Sequence, residues 1–228
     1  MPLDAVLFEF DGLLAETAPA RREALARALA EEGVSLSAAQ SALLDPWQAP
    51  RSVAFDVARR QGIQLDETAL DLVGLRTERH AAELLGTGLS LAPGAAELLH
   101  ALAGQAQVGI VTDAPRELVD HVLGMAGLEH EVEFIVTARE RLAPKPAPDG
   151  YLAALERLGR RRPLRSLHVL ALEASPAGIT AATAAGIRCV AVGELAAHEA
   201  MRAAAYLPSL AGVTVDRLAS LASPPVHS

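Results

Sequence analysis

The sequence predicts an α/β fold: a doubly wound, mostly parallel sheet with an α-helical domain inserted after the first strand. Three observations predict it. Short apolar runs rich in Val and Ile alternate with helical patterns, the order that builds a parallel sheet covered on both faces. The runs are continuously apolar, as strands buried on both sides are. From about Ala18 to Leu89 no convincing strand pattern occurs, which sets that block apart as helical.

The first strand is read at Ala5–Phe10 and opens the segment LFEFDGLLAET, residues 7–17. Glu9 and Asp11 stand two residues apart, so the period of a strand sends both side chains to one face. Gly12 then allows a sharp turn. The C-terminal tip of a buried parallel strand is where an α/β protein places its chemistry. Amphipathic patterns follow at Arg21–Glu32, Ala39–Leu44, Ser52–Gln61 and Thr68–Leu85, with Gly33, Gly62 and Gly86 as helix terminators. This organisation divides the chain into a core, residues 1–15 and 90–228, and a helical domain, residues 16–89. Later strands are read at Val108–Val111, Val132–Val136, Leu167–Leu172 and Cys189–Val192. Between them lie helical patterns at Arg116–Met125, Asp149–Leu158 and Pro176–Ala185. Ala182, Ala185 and Gly186 keep the last of these thin enough to pack close to the sheet. The tail after Leu221 is expected to fray.

The chain has 228 residues, enough for one domain with a modest insertion. Apolar residues make up 51%, which excludes whole-chain disorder, and a net charge of −8 argues against a nucleic-acid binder. The basic run Arg157, Arg160, Arg161, Arg162 and Arg165 reads as a solvated helix end. The single Cys189 allows no intrachain disulfide and reads as a buried, inert thiol. No apolar stretch is long enough to span a bilayer, and the N-terminus lacks a signal-peptide pattern, so a cytoplasmic location is expected.

Three further segments carry candidate chemistry. In VGIVTDAP, residues 108–115, Thr112 ends a strand, and Asp113 and Pro115 suit the start of a helix. Thr112 and Asp113 also read as plain helix caps. In APKPAPDGYLAAL, residues 143–155, Lys145 stands between two prolines. In HVLALEASPAGITAATAAGI, residues 168–187, Glu173-Ala174-Ser175 follows a strand.

Together with the first strand, these segments resemble the four motifs of the haloacid dehalogenase-like hydrolases, in order and across essentially the whole chain. The match is to the subgroup with an α-helical cap after the first strand, near the phosphoglycolate phosphatases and β-phosphoglucomutases. The return segment Leu91-Ala92-Pro93-Gly94 suits that subgroup's re-entry into a Rossmann-like core. The resemblance implies that position 9 is the nucleophile and Asp11 the general acid/base. It implies that Thr112, Asp113 and Lys145 bind phosphate, that Lys145 also serves catalysis, and that Glu9, Asp11 and Glu173 hold Mg²⁺. Arg21, with Arg22 beside it, stands near where mutase relatives carry a His after the first motif, and Arg51 where cap residues touch substrate; an exposed helix face is the favoured reading of each, and an Arg pair recognising an anion the alternative.

Two positions depart from the family pattern. Glu9 replaces Asp and adds a methylene, so its carboxylate must shift by roughly 1 Å or fold back, and a misplacement of that size costs ~10²-fold in rate. Ala174 removes an acid from a site whose Mg²⁺ demands near-octahedral oxygen ligands. Mg²⁺ is therefore expected to bind weakly or not at all. The expected activity is phosphatase action on a small phosphorylated metabolite, impaired at these two positions. The alternative is a non-catalytic binder of such an anion on the same scaffold. A true dehalogenase is weaker, because Asp11-Gly12 follows the phosphatase branch. No nucleic-acid or membrane partner is expected, and the protein is expected to be a monomer or homodimer.

Overall fold

The structure, a computed structural model, describes residues 3–44, 46, 48–86, 91–137, 140, 142–161 and 168–223. Leu89, Arg162, Arg165, Leu167 and residues 224–228, all singled out in the sequence, lie outside that description. In chain order the elements are β1 (Ala5–Phe8), α1 (Ala18–Glu31), α2 (Ala38–Ala42), α3 (Pro50–Arg60), α4 (Glu67–Leu85), α5 (Ala95–Leu102), β2 (Gln107–Val111), α6 (Arg116–Ala126), β3 (Phe134–Val136), α7 (Asp149–Arg161), β4 (Val169–Glu173), α8 (Pro176–Ala184), β5 (Arg188–Val192), α9 (Ala197–Ala200), β6 (Ala205–Leu207) and α10 (Val215–Ala222). They fall into two compact units, Met1–Glu16 with Ser90–Ser228, and Thr17–Leu89.

The first unit carries a six-stranded sheet in the order β3-β2-β1-β4-β5-β6, every pair parallel. In register, Phe8 lies between Ile110 and Leu172. The residues just beyond therefore emerge together at one end of the sheet: Glu9, Thr112 and Glu173. The chain reverses its direction of growth around β1, the place where an open parallel sheet forms a ligand crevice. β1, β2 and β4 are buried along their whole length. Leu7, Val111, Tyr151, Ala171, Ile179 and Cys189 belong to one apolar cluster of the core.

β1 ends at Phe8 rather than at Phe10. The Phe10 carbonyl accepts from the N–H groups of Leu14 and Ala15, both at 3.0 Å, and Gly12 sits at φ 73°, so the chain leaves the sheet in a tight turn. The departing and returning segments meet where Ala15 bridges Leu91 and Ala92 N–H donates to Leu14 O at 2.9 Å. β6, α9 and α10 lie outside the sequence reading. β6 is a three-residue edge strand paired only with β5, too short for any period to register.

The second unit is helical. α1 packs on α4, and α3 also packs on α4. Leu25, Ala28, Leu29, Val53, Leu70 and Val73 form its core. Asp66 caps α4 by accepting from Ala69 N–H at 2.8 Å, and Ser37 with Gln40 forms a capping box on α2. Gly33 and Gly62 end their helices at φ 78° and 73°, whereas Gly86 caps α4 in right-handed geometry.

Phe8 is fully buried at the centre of the sheet, while Leu75 on α4 is 70% exposed. Phe8→Ala should cost ~3–5 kcal/mol, and Leu75→Ala no more than about 0.5 kcal/mol. Urea unfolding of both variants checks this contrast.

Candidate active site

Glu9 follows β1, and its N–H still pairs with Leu172 O at 3.0 Å. Its carboxylate then folds back toward the chain. Oε1 accepts from Phe10 N–H at 2.8 Å, from Asp11 N–H at 3.2 Å and from the Thr112 hydroxyl at 2.6 Å. Oε2 takes the ammonium of Lys145. Both oxygens of this buried acid are engaged.

Lys145 stands before α7, and its Nζ meets three acceptors: Glu9 Oε2, Val111 O at 3.0 Å and Glu173 Oε1 at 2.6 Å. The ammonium and both carboxylates are buried, with side-chain exposures of 8%, 7% and 0% for Lys145, Glu9 and Glu173. In that setting each charge needs a partner, because an unpaired one would cost several kcal/mol of lost hydration.

Glu173 ends β4. Its Oε1 also accepts from the Tyr151 hydroxyl at 2.6 Å, and its Oε2 has no hydrogen-bond partner. That oxygen packs against Gly178, where a Cβ would fall inside the carboxylate. Only glycine fits there. Tyr151 is fully buried, and desolvation, then the charge of Glu173, push its phenol well above the ordinary range, so it remains a donor. The same two causes raise the Cys189 thiol, which stays protonated and unreactive.

Thr112 donates to Glu9 and accepts from Ala114 N–H at 3.1 Å. It does not cap α6, whose N-cap is Pro115 with no side-chain bond. Asp113 accepts the backbone N–H of Lys145 at 3.3 Å, which ties the β2 end to the Lys145 loop. Asp11 is buried and contributes its N–H to the cluster. Glu9, Asp11, Thr112, Asp113, Lys145 and Glu173 thus meet at one end of the sheet.

Arg21 and Arg51 belong to the helical unit. Arg51 pairs there with Glu67 and Asp71. Nearby, Arg22 Nε donates to Leu44 O at 3.0 Å.

Glu9 and Glu173, with the Asp11 carbonyl, are the groups that would hold a divalent cation here. Among the described residues no group of three or more His, Cys, Asp or Glu side chains comes together to hold one. Glu9 and the facing oxygen of Glu173 are joined through the ammonium, and Ala174 offers no side-chain oxygen. Sequence reasoning missed Tyr151 and the two backbone N–H donors. A tyrosine six residues after Lys145 carries no pattern of its own, and backbone groups carry none at all.

Residues 6–192 match the family of haloacid dehalogenase-like hydrolases. The chain is 34% identical over 207 residues to the plasmid-encoded protein CbbY of Cupriavidus necator, covering 82% of this chain and 77% of that protein. It is 30% identical over 185 residues to the validoxylamine A 7'-phosphate phosphatase of Streptomyces hygroscopicus subsp. limoneus, covering 81% and 83%. Its fold matches a crystal structure of β-phosphoglucomutase from Clostridium difficile at a TM-score of 0.74 and 17% identity, over 96% of this chain and 97% of that one. Among the described residues no helix is long and apolar enough to cross a membrane.

Gly178→Ala should be destabilising by about 1–3 kcal/mol, because a methyl must displace a carboxylate fixed by Lys145 and Tyr151. Thermal unfolding checks it, with Gly124→Ala as the control, since a Cβ there meets nothing within 4 Å.

Proposed function

Because this chain belongs to the haloacid dehalogenase-like hydrolases, of the phosphoglycolate phosphatase and β-phosphoglucomutase type, we propose that it binds a small phosphorylated metabolite in a phosphatase-type site with impaired turnover. Its curated relatives include phosphatases, which supports the reaction class. In this reading Thr112 and Lys145 bind the phosphoryl oxygens, and Asp11 serves as general acid/base. Asp113 holds the Lys145 loop against the strand end. Residues 16–89 have the place in the sequence of the subgroup's cap, and Arg21 and Arg51 are their candidates for recognising an anionic substrate.

One observation carries the impairment. The Glu9 carboxylate, at the nucleophile's position, spends both oxygens on internal donors. Oε1, with three donors, has no lone pair left to attack phosphorus, and Oε2 must attack from where the Lys145 ammonium holds it. Catalysis of phosphoryl transfer is almost entirely positioning and charge stabilisation, so geometry at this atom governs the rate. Glu9 and Glu173, the acids that would hold Mg²⁺, both pair with Lys145. The second reading is a non-catalytic binder of the same anion, and the missing oxygen at Ala174 favours it.

Restoring both positions tests the proposal. Glu9→Asp with Ala174→Asp should raise hydrolysis of an aryl phosphate or sugar phosphate in Mg²⁺ by ~10²-fold or more over the natural chain. The gain should exceed the two single gains combined, because both groups act in one site. Calorimetry should show Mg²⁺ binding strengthened by Ala174→Asp. Four equally inert proteins would sink the phosphatase reading in favour of the binder. A natural chain as fast as the double variant would make Glu9 a competent nucleophile.

A further inference from the structure

Four hydrogen-bond donors from three separate segments converge at the end of β1. Two are consecutive backbone N–H groups, of Phe10 and Asp11; the third is the Thr112 hydroxyl and the fourth the Lys145 ammonium. Adjacent backbone N–H groups, a hydroxyl and an ammonium form a cradle suited to an anionic oxygen cluster. All four meet one side chain. We infer that the Glu9 carboxylate is an internal ligand, seated in an oxyanion cradle of this chain in place of an external phosphate or phosphate monoester.

The extra methylene explains the seating. Glu9 Oε1 reaches the N–H groups of the next two residues and a hydroxyl on the neighbouring strand at once, which requires the side chain to curl back over its own backbone. Occupancy by Glu9 uses all four donors, so a second anion at the cradle must displace it. Charge adds to the competition. The one ammonium in the cradle is already shared by Glu9 and Glu173, and a phosphate added to them would meet two buried carboxylates. Glu9 and an external oxyanion therefore compete, and apparent affinity falls by the fraction of molecules whose cradle is open.

The cradle does not depend on Glu9 for its shape. Without Glu9, the Lys145 ammonium keeps Val111 O at 3.0 Å and Glu173 Oε1 at 2.6 Å, and Tyr151 still fixes Glu173. The inference rests on the phosphate-binding half of the proposed function, and asks nothing of the nucleophile or of a metal.

Inorganic phosphate, titrated in the presence of EDTA and followed by calorimetry, tests it on the full chain. Glu9→Ala should bind phosphate at least about tenfold more tightly than the natural chain, as a cradle closed in nine molecules of ten requires. Glu9→Gln keeps the shape without the charge and should fall between them, which preserves the test if the alanine variant folds poorly. Adding Thr112→Val to either variant should remove the gain. Equal affinity in the natural chain and both Glu9 variants would overturn the inference, as would a gain that survives Thr112→Val. A gain with no turnover in the restored double variant supports the cradle and sinks the phosphatase reading. Restored turnover with no gain keeps that reading and overturns the cradle.

Discussion

Two carboxylates, Glu9 and Glu173, reach the buried end of a parallel sheet, and the Lys145 ammonium between them decides what the surrounding structure must do. None of the three is accessible enough for water to screen its charge. Breaking a pair of this kind costs about 3–5 kcal/mol, because the remaining charge is left in a poorly polarisable interior. The loop before α7 is accordingly tied to β2 twice, by Lys145 Nζ to Val111 O and by Lys145 N–H to Asp113. Tyr151, one turn into α7, is buried so that its hydroxyl can reach Glu173.

The same constraint explains details with no obvious link to chemistry. Gly178 on α8 must lack a side chain because Glu173 leans against it, and the helix can therefore sit close to β4. Glu173 depends on this packing, since among the described residues its Oε2 has no hydrogen-bond donor. Haloacid dehalogenase-like relatives include phosphatases, so a site built around an ammonium and oxygen-binding donors is at home in this fold. In this chain the donors are used by its own acids.

In the proposed function, that self-saturation separates binding from turnover. The donors that would stabilise phosphoryl oxygens are intact: Thr112, Lys145 and the N–H groups after β1. In the same proposal, Glu9 and Ala174 stand where the groups for attack and metal charge would be. A single methylene at position 9 therefore acts twice, once on reach and once on occupancy. An exposed residue would relax such a change into solvent, but a buried strand end cannot.

The order of strands and helices was legible because burial on both faces writes itself as continuous apolar runs, and each βα unit repeats the signal. Glu9, Thr112, Lys145 and Glu173 were legible because each follows a strand or sits in a proline-framed string, and parallel strands deliver their ends to one side. The three-residue β6 and the four-residue α9 were not, since neither is long enough to show a period. Nor were Tyr151, the fit of Gly178 or the N–H groups of Phe10 and Asp11. Their roles depend on distances across the sheet, or on backbone groups that every residue shares. Residue identity alone determined that position 9 holds a longer acid and that position 174 holds none. Only the tertiary structure decided where that longer acid goes, because the choice between reaching outward and folding back is made by donors brought from β2 and from the loop before α7.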